Sequence, residues 1–202
     1  MEKGGILKAR VLILPGIGNS GPEHWQSLWE ASNPSFRRVE QRDWDTPVCS
    51  EWIASLEKAT AECVSSALPL VAAGNATPPP VSNSGPETVL VAHSLACLLV
   101  AHWAAVTKLR IRGALLVAVP DPEGANFPVE AIGFGPVPQK ALPFRTIVVA
   151  STNDPYGSMD HASRCASIWG SDLVVINGAG HINSDSGLGE WREGFALLQR
   201  LA

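Results

Sequence analysis

The chain predicts a three-layer, doubly wound α/β fold, a mostly parallel six-stranded sheet with helices on both faces. Two observations carry that expectation. Five short apolar runs rich in β-branched residues lack polar alternation, as strands covered on both faces do: RVLIL at 10–14, TVLVA at 88–92, RGALLVAV at 112–119, TIVVA at 146–150 and LVVI at 173–176. Stretches with helical spacing occupy 24–31, 50–68, 95–107, 159–169 and 190–201, and strand followed by helix, repeated, winds a sheet of this kind. A weaker sixth strand is FRRVEQ at 36–41. In the second helix Trp52, Leu56 and Cys63 recur at turn spacing while Glu51, Glu57 and Lys58 fall on other faces, so that helix is amphipathic and structural.

A length of 202 residues fits one domain, 1–202, able to bury roughly 70% of the surface its unfolded form exposes. With 46% apolar and 17% charged residues the chain should pack rather than stay solvated. Two segments break the rhythm. GNATPPPVSNSGP at 74–86 reads as a flexible surface insertion. Residues 120–143 join two strands over the C-terminal edge of the sheet, where open α/β sheets bind ligands, and form the natural lid.

Composition removes several function classes. The net charge is −4 and no basic run is present, so nothing would hold a nucleic-acid backbone. The start lacks a signal-peptide layout and no apolar run approaches the ~18 residues of a membrane span, which predicts a cytoplasmic protein without a membrane partner. Cys49, Cys63, Cys97 and Cys165 are widely spaced and read as reduced thiols. His161 and Cys165 stand four apart on a helix, a spacing known from metal sites, but two ligands are too few, so neither metal nor cofactor is expected.

Chemistry concentrates at the ends of strands. The run 88–92 leads through His93 into Ser94, and Ala92-His93-Ser94-Leu95-Ala96 is a small-x-Ser-x-small form of the G-x-S-x-G elbow. Residues two before and two after the serine must be small for strand and helix to pass closely. The bland reading is a serine capping the next helix. A serine hydroxyl is a weak nucleophile until a base accepts its proton, so the catalytic reading requires a histidine and an acid further along. Asp154 follows the strand at 146–150 in Ser151-Thr152-Asn153-Asp154-Pro155, and His181 ends the flexible-looking loop Asn177-Gly178-Ala179-Gly180 after the last strand. The order Ser94, Asp154, His181 gives His181 the role of base and Asp154 that of its orienting partner. Asp154 before Pro155 also suits an ordinary turn, and Asp121, in Val119-Pro120-Asp121-Pro122, is the rival acid. Among other bases, His24 precedes the serine, His93 adjoins it, and His102 and His161 lie within helices.

An oxyanion needs two backbone N–H donors. Leu95 supplies one; the loop Pro15-Gly16-Ile17-Gly18-Asn19 supplies the other, with Ile17 the first choice and Gly18 close behind. The same loop reads literally as G-x-G-x-x-G through Gly16, Gly18 and Gly21, with Glu40 ending the next strand, so a dinucleotide site is a competing hypothesis. Pro22 and His24 crowd the place where a phosphate would sit.

These residues resemble the YdeN-like serine hydrolases, relatives of the retinoblastoma-binding serine hydrolase in the α/β-hydrolase superfamily. The likeness runs through Leu14-Pro15-Gly16, Ser20-Gly21, His24-Trp25, Asp43-Trp44, Pro47, Trp52 and Val91 to Leu95. It continues in Leu142-Pro143-Phe144, Ala150 to Tyr156, Trp169-Gly170-Ser171, Gly180-His181-Ile182-Asn183, Ser186-Gly187-Leu188-Gly189 and Trp191. The resemblance implies a compact hydrolase without a cap domain, starting at the superfamily's third strand, with strand order 2-1-3-4-5-6. It also implies cleavage of small esters, amides or thioesters by Ser94, Asp154 and His181. Ala92 and Ala96 stand where the superfamily more often has glycine. Of the seven tryptophans, Trp52, Trp103, Trp169 and Trp191 read as core, while Trp25, with Gly16 and His24, is placed near the pocket. A hydrolase-like binding module with little turnover is the alternative of another class, and an unspecified protein partner stays open.

Overall fold

The computed structural model describes residues 9–65 and 87–202. The insertion expected at 74–86 and the expected last turn of the second helix lie outside the described residues. The strands are β1 (Arg10–Leu14), β2 (Phe36–Arg38), β3 (Thr88–His93), β4 (Gly113–Val117), β5 (Arg145–Ser151) and β6 (Asp172–Ile176). The helices are α1 (Trp25–Ser32), α2 (Cys49–Ser65), α3 (Leu95–Val106), α4 (Met159–Trp169) and α5 (Arg192–Gln199). The strand order is β2-β1-β3-β4-β5-β6, and each neighbouring pair is parallel.

The period of two along each strand builds the two cores. Val11, Ile13, Val89, Val91, Leu115, Val117, Ile147 and Val149 face one side, where Trp25 and Trp29 of α1 and Leu198 of α5 cover them. Leu12, Leu14, Leu90, Ala92, Ala114, Leu116 and Val148 face the other, against Trp52 and Leu56 of α2, most of α3, and Cys165 and Trp169 of α4. Because both faces are covered, the central strands need no polar alternation. The α3 sequence is apolar nearly all round for the same reason, with Leu95 to Ala101 and Trp103 all buried.

One expectation changes. The run at 173–176 is not a buried strand: β6 lies at the sheet edge, pairs only with β5, and leaves Leu173 36% and Val175 48% exposed. The stretch 120–143, expected over the C-terminal edge of the sheet, is anchored to the body of the protein through Ile132 and Phe134. Phe134 is wholly buried in the α2/α3 core, and its carbonyl accepts the His102 Nε2–H at 2.9 Å. Ile132 donates to the Pro47 carbonyl and accepts from the Cys49 N–H, both at 2.9 Å.

The strand order reverses between β1 and β3. Their carboxyl ends therefore bring the Gly16 loop and Ser94 side by side, at the crevice where this architecture binds ligands.

Candidate active site

β3 ends abruptly. Ser94 has φ 56° and ψ −126°, a conformation that non-glycine residues rarely adopt, and it is held there by its N–H on the Val117 carbonyl (2.9 Å) and by Cys97 N–H on its own carbonyl (2.8 Å). Ala92 and Ala96 are fully buried, so alanine is small enough for this turn. The Ser94 side chain makes no capping bond to α3. Instead its hydroxyl lies 2.8 Å from His181 Nε2.

The histidine is carried from the far end of the chain by a loop that is pinned, not loose. Thr152 Oγ1 accepts the Gly178 N–H at 3.0 Å, Ser151 Oγ the Ala179 N–H at 3.0 Å, and Asn153 Oδ1 the Gly180 N–H at 2.7 Å. Next in line, Asp154 meets His181 Nδ1 through both oxygens, at 2.9 and 3.0 Å. The last residue of β5 and the three that follow it thus hold four consecutive residues after β6. Gly178 (φ 66°) and Gly180 (φ 56°) permit the left-handed backbone that this requires. Asp154 Oδ1 also accepts the Tyr156 N–H at 2.9 Å, so the turn reading of Asp154 holds together with the site reading.

The His181 ring lies between Tyr156 and His93, with ring centroids 4.5 and 5.0 Å away. His93 Nε2–H donates to the His181 carbonyl at 2.9 Å, and Trp25 Nε1–H donates to the Ile182 carbonyl at 2.8 Å. Burial pushes the His93 pKa well below its usual value, so this tie stays neutral. With Nδ1–H facing a carboxylate, Nε2 of His181 is the acceptor for the Ser94 hydroxyl. The Asp154 side chain is almost fully buried, which strengthens its hold on that ring.

The Gly16 loop rests directly on the elbow. A Cβ on Gly16 would stand 2.9 Å from Ser94 Cβ, 3.1 Å from the His93 carbonyl oxygen and 3.4 Å from the Leu95 nitrogen, so only glycine fits. Leu95 opens α3 and its N–H has no intrahelical acceptor. The Gly18 N–H, the second choice of donor in this loop, is taken by the Trp44 carbonyl at 2.8 Å. Trp44 is braced in turn by Trp52, whose Nε1–H reaches the Asp43 carbonyl at 3.1 Å. The dinucleotide hypothesis loses its site here: His24 Nδ1 caps the start of α1 by accepting the Gln26 N–H at 3.1 Å, and Trp25 fills the core behind it.

The other expected residues separate. Asp121 pairs with His161 Nδ1 at 3.4 Å, and His161 Nε2 faces Cys165 Sγ at 3.4 Å, a buried cluster apart from Ser94. No group of three metal-ligating side chains suited to an ion occurs among the described residues. Trp25 does not line the pocket; it backs the His181 loop. The cavity beside Ser94 measures about 310 Å³, near the lower end for ligand sites, and its wall includes Ile17, His24, Leu95, Tyr156 and His181 but no lysine, arginine, aspartate or glutamate.

Burial, reinforced by the charges of Arg38 and His181, lowers the His24 pKa from 6.5 to about 4. Between those values the unfolded chain takes up a proton that the folded chain refuses, so stability present above pH 6.5 is lost on acidification toward pH 4. For a buried ring this displacement is worth roughly 3 kcal/mol. We expect the urea midpoint to fall between pH 7 and pH 4.5, and to fall less in a His24→Ser variant, whose hydroxyl can still cap α1. Equal falls in the two proteins would contradict this.

Sequence reasoning missed the roles of Ser151, Thr152, Asn153, His93 and Tyr156. The only available signal was four short polar residues in a row after a strand.

A sequence profile of the serine hydrolase family matches residues 11–76 and 79–200. The chain belongs to that family. As an esterase-like serine hydrolase it shares its fold with solved α/β-hydrolases. A structure described as a YdeN-like hydrolase from Pectobacterium atrosepticum superposes with a TM-score of 0.75 at 28% identity, covering 95% of this chain and 89% of that one. The ydeN gene product of B. subtilis gives 0.74 at 17% identity, covering 96% and 98%. The RedJ thioesterase of Streptomyces coelicolor, at 0.60 and 12% identity over 96% and 90%, shares the fold alone. A search of curated proteins returned no significant match. Among the described residues no helix is long and apolar enough to cross a membrane.

Proposed function

We propose that this serine hydrolase cleaves small carboxylic esters through an acyl-enzyme on Ser94, with His181 as general base and acid and Asp154 as its orienting partner. The observation that carries the reading is the unbroken chain from the Ser94 hydroxyl to His181 Nε2 at 2.8 Å and from His181 Nδ1 to Asp154 at 2.9 Å. Ser94 Oγ attacks the ester carbonyl carbon while its proton passes to Nε2. Asp154 stabilises the imidazolium and keeps its orientation. The N–H groups of Ile17 and Leu95 receive the negative oxygen, each donor typically lowering the barrier by ~2.7–4 kcal/mol. Collapse expels the alcohol, which leaves with the proton from Nε2. Water then gives a proton to Nε2 as it attacks the acyl carbon, and collapse breaks the acyl–Oγ bond, Ser94 Oγ taking the proton back from Nε2 as the acid leaves. Amides and thioesters could enter by the same steps, with the small cavity setting the acyl size. The natural partner is therefore a small molecule, and the buried positions of Cys49, Cys63, Cys97 and Cys165 suit the reducing cytoplasm to which we assign the protein.

Stopped-flow hydrolysis of p-nitrophenyl acetate tests this. The expected trace is a burst of nitrophenolate approaching one equivalent of protein, absent in Ser94→Ala. Equal turnover by the variant would exclude Ser94 as nucleophile.

A further inference from the structure

We infer that Tyr156 is the specificity residue for the leaving alcohol, its ring joining Pro120 and Pro128 in an apolar wall that takes an uncharged hydrocarbon alkoxy group. The inference rests on the ester-cleaving reading above and adds the chemistry of one half of the substrate.

The direction comes from the proton. When the acyl-enzyme forms, the leaving oxygen takes the proton from His181 Nε2, so it must sit within hydrogen-bond reach of that nitrogen. The first carbon of the alcohol then lies at the imidazole, whereas the acyl chain departs from the carbonyl carbon itself. Two rings pack on that imidazole, His93 and Tyr156, with centroids 5.0 and 4.5 Å away. His93 is only 6% exposed and its Nε2–H is spent on the His181 carbonyl. Tyr156 is 39% exposed and lines the cavity, so it is the ring with surface left for a ligand.

The chemistry of the wall follows from what its residues have left to offer. The Tyr156 backbone is fully committed, its N–H to Asp154 Oδ1 at 2.9 Å and its carbonyl to the Asp121 N–H at 2.8 Å, so the residue offers a ring. Gly157, next in the chain, rests against Val119 and Pro120: a Cβ there would stand 3.6 Å from Pro120 Cα. Pro120 and Pro128 have no N–H to give. The Pro128 carbonyl accepts the Ala131 N–H at 3.1 Å, and the Pro120 carbonyl is turned to His161. Both prolines therefore present ring carbons. The polar lining groups lie elsewhere. Asn19 follows β1, and Asn183 and Ser184 follow Ile182, whose carbonyl is held by Trp25 of α1. Because β1 and β4 flank β3, these groups and the wall after β4 and β5 stand on opposite sides of Ser94. A charged or strongly hydrated alcohol would lose its water at this wall without finding a partner. A hydrocarbon gains by covering the half-exposed ring.

The test uses two ester series that start from methyl acetate. One lengthens the alcohol, to butyl acetate; the other lengthens the acyl chain, to methyl pentanoate, an isomer of butyl acetate. Each kcat/KM, read from acid release, is divided by the rate of the same ester with hydroxide, which removes intrinsic reactivity. In the native enzyme butyl acetate should exceed methyl acetate by about ten-fold, the value of three methylenes covered on one side. Tyr156→Ala should reduce that ratio to about three-fold or less, while the ratio of methyl pentanoate to methyl acetate moves by less than about two-fold. Tyr156→Phe should keep both ratios. Looser packing on His181 would slow every ester alike and cancel in the ratios. A flat alcohol series in the native enzyme, an alcohol ratio unchanged by Tyr156→Ala, or equal loss in both series would overturn the subsite and leave the hydrolase reading intact. Absence of turnover on every ester would instead sink the hydrolase reading. The subsite is then read by NMR, since Tyr156 is the single tyrosine of the chain and ¹³C-labelled tyrosine reports on its ring alone. In Ser94→Ala, butyl acetate should move those resonances further than methyl pentanoate does; equal movement, or none, would overturn it.

Discussion

Replacing His181 by alanine should lower kcat on a short p-nitrophenyl ester by about 10⁶-fold, equivalent to roughly 8 kcal/mol of barrier. No neighbouring group can stand in. His93 Nε2 is committed to the residue-181 carbonyl and His24 Nδ1 to the Gln26 N–H, and neither ring lies between the Ser94 hydroxyl and a carboxylate. The remaining activity would come from the Ile17 and Leu95 donors and from binding, which keep some catalysis over water when a triad member is lost. Steady-state assays at fixed pH check the loss, with the unfolding midpoint confirming that the variant folds. A decrease below about 100-fold would mean that His181 is not the base.

Asp154→Asn should cost about 10⁴-fold in kcat with little change in fold. The asparagine carbonyl can still accept the Tyr156 N–H, so the turn survives. What is lost is the tautomer: an amide NH₂ presented to the imidazole draws the ring proton to Nε2, where it faces the Ser94 hydroxyl as a donor and cannot accept its proton. Asp121→Asn is the control. Its carboxylate belongs to the His161 cluster, so kcat should stay within about two-fold, in line with an ordinary substitution away from the chemistry. If Asp121→Asn proved the more damaging of the two, the acid would be misassigned.

The layered architecture was legible because period and burial leave direct marks in the residues. Val11, Ile13 and Leu12, Leu14 are all apolar since each side of β1 meets a helix layer. The ends of β3 and β5 and the loop after β6 were legible for a related reason: with chain order and parallel strands given, Ser94, Asp154 and His181 must share one edge. Contacts between segments far apart in sequence left no such mark. The bond from Thr152 to Gly178 spans 26 residues and that from His93 to His181 spans 88, and neither partner's identity alone announces the other. The prolines and glycines of 120–143 signal irregular backbone, but the anchoring of that stretch depends on Phe134 reaching a core built by α2 and α3, which no local pattern encodes. β6 misled because Leu173 and Val175 are apolar yet sit on an edge. The Gly18 N–H is bound by the Trp44 carbonyl, a contact that likewise left no trace in the local sequence.

Treatment with a fluorophosphonate, followed by mass spectrometry of the digested protein, bears most directly on the convergence of Ser94, His181 and Asp154. The expected outcome is a single phosphonyl adduct on the peptide containing Ser94, formed quickly in the native protein and far more slowly in His181→Ala. An unmodified Ser94, or modification at the same rate without the imidazole, would contradict it.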